Sequence, residues 1–172
     1  VLSKKSIYQS LPWISLWSET IRTPQGNVVE NYHQLRLPSF AVITAWTLDQ
    51  KLILERQYRH GARRVVWALP TGTILDGESP SQNARRELLE ETGYRAGRLR
   101  LLGSFITDGV RGGAKAYFFE ARDCRLRAKA DSGDLEETQI VLVSRQEALK
   151  MTKDGRLATV SSALGFTLSC IS

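Results

Sequence analysis

Residues Gly72 to Tyr94 read GTILDGESPSQNARRELLEETGY, and the second half of this stretch decides what the chain builds. Ser79 has the side chain of a helix N-cap, Pro80 stands at the first helical position, and Gln82 closes a capping box three residues after the serine. Gly93 stands where such a helix stops, because glycine takes the left-handed conformation at little steric cost. These signals predict a helix over 80–92. At about 100° per residue, Glu87, Glu90 and Glu91 fall within an arc of about 100°, while Ala84, Leu88 and Leu89 point elsewhere and can anchor the helix on a sheet. Three carboxylates on one face make either a solvated acidic surface or a site. Two unit charges about 5.5 Å apart repel by about 3 kcal/mol at an effective dielectric near 20. The residue four on from Glu87 is Glu91 itself, and Arg86 can reach Glu90 but cannot neutralise all three acids. A hard divalent cation bound through oxygen removes the repulsion, and Mg²⁺ or Mn²⁺ is the usual occupant where phosphates supply further ligands. The loop from Gly72 to Glu78 leads into the helix start, where free N–H groups and the positive end of the dipole favour anions.

Composition bounds the rest. A chain of 172 residues with 42% hydrophobic and 24% charged side chains suits one compact domain with a short extra segment, and excludes disordered, collagenous and fibrous classes. The formal charge of +6 favours an anionic partner. Cys124 and Cys170 make neither a disulfide framework nor a metal knuckle, so a reducing cytoplasm is the expected compartment. No apolar run approaches the roughly 18 to 20 residues of a spanning helix, and the stretch from Val1 to Leu16 lacks the apolar centre of a signal peptide. A membrane partner is not expected. The chain starts at Val1 and not at methionine, which leaves room for residues upstream.

Outward from the helix the pattern is mostly β. A strand around Trp13 to Arg22, a turn at Thr23 to Asn27 and a second strand to Leu37 suggest an N-terminal hairpin. Phe40 to Leu48 and Lys51 to Tyr58 flank Asp49-Gln50 as a second hairpin, and Val65 to Leu69 forms a short strand that Pro70 ends. Further strands are expected at Leu99 to Ile106, Ala114 to Ala121 and Gln139 to Ser144, and helices at Arg145 to Thr152 and Ala158 to Ser169. Helices mixed with adjacent hairpins argue an α/β (α+β) sandwich on a mixed sheet. The four tryptophans suit burial in the hairpins or an interface between subunits, although each ring could stack a base. His33 and His60 lack partners at metal-ligand spacing, and the basic run from Arg122 to Lys129 has no interleaved aromatics of the kind that bind RNA.

The stretch from Gly72 to Tyr94 resembles the Nudix box, G-x5-E-x7-R-E-U-x-E-E-x-G-U with U a bulky apolar residue. Gly72, Glu78, Arg86, Glu87, Leu88, Glu90, Glu91 and Gly93 match, and Tyr94 is aromatic where aliphatic is commoner. Arg56-Gln57-Tyr58-Arg59, Ala68-Leu69-Pro70-Thr71-Gly72, Asp134-Leu135-Glu136-Glu137 and Asp154-Gly155-Arg156-Leu157 are similar to the ADP-ribose pyrophosphatase branch of that family. The resemblance implies a Nudix-type α/β/α sandwich over 38–172, with residues 1–37 as a β-hairpin extension that helps form a homodimer. It implies metal-dependent hydrolysis of a nucleoside diphosphate linked to another moiety, ADP-ribose or another sugar, to a nucleoside monophosphate and a sugar phosphate. Dinucleoside polyphosphates, RNA caps and a non-catalytic nucleotide-binding module are the competing readings, and DNA is not an expected partner.

Carried over position by position, the likeness gives Mg²⁺ (or Mn²⁺) ligands at Glu87 and Glu91, support from Glu90 and the backbone carbonyl of Thr71, and a late-loop acid, Glu136, with Asp134 and Glu137 competing for its role. Arg86 braces the carboxylates, Glu78 stabilises the box loop, and Arg59 and Arg111 are the candidate substrate contacts. Two departures stand out. Ala68 replaces a commoner glutamate, and the loop from Ile106 to Gly113 lacks the proline that ADP-ribose enzymes tend to carry, which puts narrow ADP-ribose selectivity in question.

Overall fold

The computed structural model describes residues 1–131 and 138–172. In chain order its strands are β1 (Ser3–Ser10), β2 (Ile14–Arg22), β3 (Val28–Arg36), β4 (Phe40–Thr47), β5 (Leu52–Arg59), β6 (Arg64–Ala68), β7 (Thr71–Thr73), β8 (Tyr94–Arg95), β9 (Arg98–Asp108), β10 (Gly112–Leu126) and β11 (Gln139–Val143). The helices are α1 (Pro80–Thr92), α2 (Arg145–Lys153) and α3 (Val160–Ile171). Two compact units share these elements, residues 1–39 with 104–116, and residues 40–103 with 117–172.

In the first unit β1, β2 and β3 form an antiparallel meander, and Gly112 and Gly113 pair in parallel with Leu35 and Arg36. The sequence predicts the second and third strands as a hairpin and misses β1. That strand is exposed along almost its whole length, so it lacks the apolar alternation that marks a strand in sequence. The turn between β2 and β3 closes where the Thr23 N–H donates to Asn27 O and the Gly26 N–H to Thr23 O, with Gly26 at φ 89°.

The second unit carries the core. β4 and β5 meet at Trp46 and Leu52 around the turn at Asp49-Gln50, then take different partners. β4 pairs with β7, whereas β5 lies between β6 and β11, all antiparallel. The class is therefore the α/β mixed-sheet one that the pattern predicts. Ala41, Ile43 and Ala45 of β4, Ile53 of β5 and Phe119 and Ala121 of β10 form a cluster with Ala84 and Leu88 of α1. Burying a side chain such as Leu88 completely stabilises the fold by about 2 to 3 kcal/mol, and it fixes which face of α1 is left for chemistry.

The helix ends follow the local signals. Ser79 accepts from the Gln82 N–H while Gln82 Oε1 accepts from the Ser79 N–H, and Gly93 at φ 76° donates its N–H to Leu89 O. α2 ends at Lys153 and α3 begins at Val160 because Thr159, as N-cap, accepts from the Ser162 N–H. α3 is held on the sheet by Phe166 against Trp46 and by a bond of 3.0 Å from Trp46 Nε1 to Ser169 Oγ. Among the described residues no helix is long and apolar enough to cross a membrane.

Candidate active site

The acidic face of α1 meets the short strand β7, and their contact explains the glycine at position 72. A Cβ on Gly72 would lie 1.8 Å from the Glu87 carboxyl carbon, so the Glu87 side chain fills the place a side chain would take. The Thr71 N–H donates to Glu91 Oε2 at 2.9 Å, one residue earlier on the same strand. Glu87 and Glu91 are thus held against the backbone of 71–72. Thr71 and Gly72 are themselves fixed because they pair with Val42 and Ala41 of the buried β4.

Arg86 gathers the acids. Its Nε donates to Glu78 Oε1 at 2.9 Å, its Nη1 to Glu90 Oε2 at 2.9 Å, and its Nη2 lies 2.7 Å from Glu87 Oε1. A planar guanidinium offers its donors in a fixed fork, which is why an arginine can serve three carboxylates at once. Glu78 also accepts from Asn83 Nδ2 at 3.0 Å and from the Leu75 N–H at 3.2 Å, so the box loop is tied to the helix it precedes. These donors, Arg86 first, hold the Glu78 carboxyl down at about 2.

The other acids are pushed the opposite way. Glu87, with 12% of its side chain exposed, is raised above the ordinary carboxylate range by burial, against the opposing pull of Arg86. Glu91 is raised further, first by burial and then by the charge and hydrogen bond of a neighbouring carboxyl, Glu55, against the pull of the Thr71 N–H. Glu90 has half of its side chain in solvent. Arg86 contacts three carboxylates and supplies one positive charge, so the site keeps a surplus of negative charge. Hard oxygen donors and a negative surplus suit a hard divalent cation, and the space only glycine leaves at position 72 seats Glu87; among the described residues no three such side chains converge as a ligand set.

Thr71, Arg86, Glu87, Glu90 and Glu91 come together at the junction of β7 and α1. Arg59 ends β5 with its Nη2 3.8 Å from Glu55 Oε2. Arg111 belongs to the first unit, where it is exposed and bound to Asp108 at 3.4 Å. Glu136, with Asp134 and Glu137, lies outside the described residues.

Two residues escaped the sequence reading. Asn83 is fully buried and donates to Thr73 O at 2.8 Å as well as to Glu78. Its place one helical turn before Glu87, on the same arc, is the signal that could have found it. Glu55 is also fully buried, and its signal is a carboxylate set in the apolar run Leu52-Ile53-Leu54.

Residues 35–162 match the NUDIX domain, so the chain belongs to the Nudix family. It is a Nudix pyrophosphohydrolase of the ADP-ribose pyrophosphatase-like kind. It is 27% identical to an ADP-ribose pyrophosphatase of Bacillus subtilis (strain 168), a match over 87% of this chain and 81% of that protein. It is 28% identical to a GDP-mannose pyrophosphatase of Pectobacterium atrosepticum over 62% of this chain and 58% of that one. Among solved structures, an ADP compounds hydrolase superposes with a TM-score of 0.83 at 20% identity, covering 99% of this chain and 91% of its own, a likeness of fold.

Proposed function

We propose that the chain hydrolyses the pyrophosphate bond of ADP-ribose or another nucleoside diphosphate sugar, with Mg²⁺ or Mn²⁺ bound, to a nucleoside monophosphate and a sugar phosphate. The observation that carries this reading is the seating of Glu87 on Gly72 and of Glu91 on the Thr71 N–H, two carboxylates fixed side by side with a negative surplus. The names of the Bacillus and Pectobacterium relatives support the substrate class.

In this reading Glu87, Glu90, Glu91, the Thr71 carbonyl and Glu136 hold the cation. When bound, such an ion polarises phosphoryl oxygens and stabilises charge on the leaving phosphate. Water adds its oxygen to one phosphorus, and the bridging oxygen departs with the other phosphate. An acid of the late loop, Asp134, Glu136 or Glu137, takes the proton as general base. Arg86 touches no substrate; it keeps Glu87 and Glu90 from turning away from each other. Arg59 and Arg111 bind the anionic substrate, aided by a chain with a +6 charge.

Residues 1–37 serve as a dimerisation element and the protein works in the cytoplasm. Exposed Tyr8, Leu11 and Trp13 support the first statement and the free thiols of Cys124 and Cys170 the second. Light scattering of the purified chain checks the dimer.

The test of function is product analysis with ADP-ribose, GDP-mannose, other nucleoside diphosphate sugars, diadenosine polyphosphates and capped RNA in Mg²⁺. Nucleoside monophosphate from a sugar nucleotide, lost in Glu91→Gln, is the expected outcome. Faster turnover of a polyphosphate or a cap transfers the activity to those substrates. Metal-dependent nucleotide binding without turnover makes the chain a binding module.

A further inference from the structure

Strand β8 pairs antiparallel with the end of β10, and Arg95 stands directly opposite Arg125. Directly paired residues project to the same face with Cβ atoms about 5 Å apart, and like charges so placed destabilise a sheet. Cys124 packs into the cluster with Leu88, so its neighbour Arg125 projects to the other face, away from α1. Arg127 joins the pair in lining a hollow of about 270 Å³, whose other walls are Ala96, Gly97 and Asp123. All three arginines are exposed, and the one acid of the hollow, Asp123, is taken by Arg98 at 3.0 Å. Among the described residues no carboxylate forms an ion pair with Arg95, Arg125 or Arg127.

Asp123 also lines a second hollow, of about 650 Å³, together with Arg98, Arg100 and Arg122. Here the protein itself holds the guanidinium groups in place. The buried Glu120 accepts from Arg100 Nη2 at 3.1 Å, from Arg122 Nη2 at 2.7 Å and from Ser169 Oγ at 2.8 Å, and Arg122 lies over the Trp46 ring with Cζ 5.4 Å from its centroid. Phe119 and Ala121 pack into the cluster with Leu88, so Glu120 and Arg122 project to the same side as Arg125. Six arginines thus meet two acids in adjoining hollows, which concentrates most of the chain's formal +6 in one place. The planar fork of arginine suits phosphate oxygens, and no aromatic side chain lines either hollow, so a nucleobase finds no ring to stack on. We propose that the two hollows form a binding site for an oligophosphate, a small anion of linked phosphates, on the face of the sheet turned away from α1. The site does not depend on the reaction proposed above, because Glu87 and Glu91 belong to α1 and line neither hollow.

The test measures binding of inorganic tripolyphosphate to the full chain by isothermal titration calorimetry at low salt in EDTA, which takes metal-mediated binding at α1 out of the readout. Circular dichroism follows folding. The unaltered chain is expected to bind tripolyphosphate about tenfold or more tighter than inorganic phosphate, since linked phosphates reach several guanidinium groups at once. Arg95→Gln with Arg125→Gln is expected to weaken tripolyphosphate by about tenfold or more and to keep the fold, because it removes a like-charge pair. Arg127→Gln, beyond the end of β10, is expected to weaken it by about threefold or more and carries the test if the double variant does not fold. Lys150→Gln with Lys153→Gln takes two charges from exposed positions of α2 and is expected to stay within about twofold of the unaltered chain. No binding by the unaltered chain, or inorganic phosphate bound as tightly as tripolyphosphate, overturns the proposal. Unchanged affinity in the arginine variants overturns it too, and so does equal weakening in the lysine pair, which would reduce the effect to net charge. A single-stranded RNA oligomer that competes with tripolyphosphate and binds more tightly would assign the arginines to a nucleic acid backbone, against the ligand stated here.

Discussion

Gly72 shows how one missing side chain can serve chemistry more than stability. Its backbone does not lie in the left-handed region, so strain is not why glycine stands there. The reason is space, since a Cβ would meet the Glu87 carboxyl carbon at 1.8 Å and its Oε1 at 2.1 Å. The atoms in the way belong to the end of a flexible side chain. Gly72→Ala is therefore expected to leave the fold within about 1 kcal/mol of its original stability, since Glu87 can swing aside, and to lower kcat/KM by about ten- to a hundredfold. Steady-state hydrolysis beside thermal unfolding checks it. A large loss of stability, or full activity, refutes the stated reason for the glycine. The sequence marks Gly72 as a box position, but nothing in its neighbours shows that Glu87, fifteen residues on, fills the gap.

The loop from β7 to α1 and the helix itself make one unit, joined by the bonds of Glu78 to Arg86, Asn83 and the Leu75 N–H. Those bonds hold the Glu78 carboxyl at about 2, below its ordinary 4.5, so the folded state binds the Glu78 proton more weakly than the unfolded chain does. The stability this contributes is present above pH 4.5 and is lost as the pH falls toward 2. Glu78→Gln is expected to cost about 1 to 3 kcal/mol at pH 7, and the gap between E78Q and the unaltered chain should close between pH 4.5 and 2. Urea unfolding at pH 7, 5, 4 and 3 measures it. A gap that stays constant across that range removes Glu78 from the account. Helix α1 was legible to the residue because its signals are local: the capping box, Pro80 and Gly93 all lie within the segment they delimit. The setting of Glu55 was not, because its register against Ala68 is fixed by the pairing of β5 with β6 and not by local signals. The departure at Ala68 was visible in sequence; the acid opposite it became visible only with the strands in place.

Taken whole, the chain interleaves its two units, and this too escapes a linear reading. The pattern divides the chain after residue 37, but residues 104–116 join the N-terminal strands because Gly112 and Gly113 pair with Leu35 and Arg36. The acidic cluster, by contrast, lies within the second unit, where Glu87 and Glu91 arrive on α1 and β7 supplies the backbone against which they sit. A cation that binds there ties those elements together in the folded state and finds no such site in the unfolded chain, so binding adds directly to stability. At a free Mg²⁺ concentration of about 100 Kd the gain is about 2.7 kcal/mol. For a chain of this length each kcal/mol moves the melting temperature by about 2 to 4 °C, which makes the expected rise about 5 to 10 °C over the same protein in EDTA. Sodium chloride at matched ionic strength gives the control, because a chain with a +6 charge also responds to general screening. Glu91→Gln is expected to keep its fold in EDTA and to lose most of the Mg²⁺-dependent rise. The same rise in both proteins would locate the ion elsewhere, and no rise in either at tens of millimolar Mg²⁺ would show that the acids of α1 bind no cation without substrate phosphate.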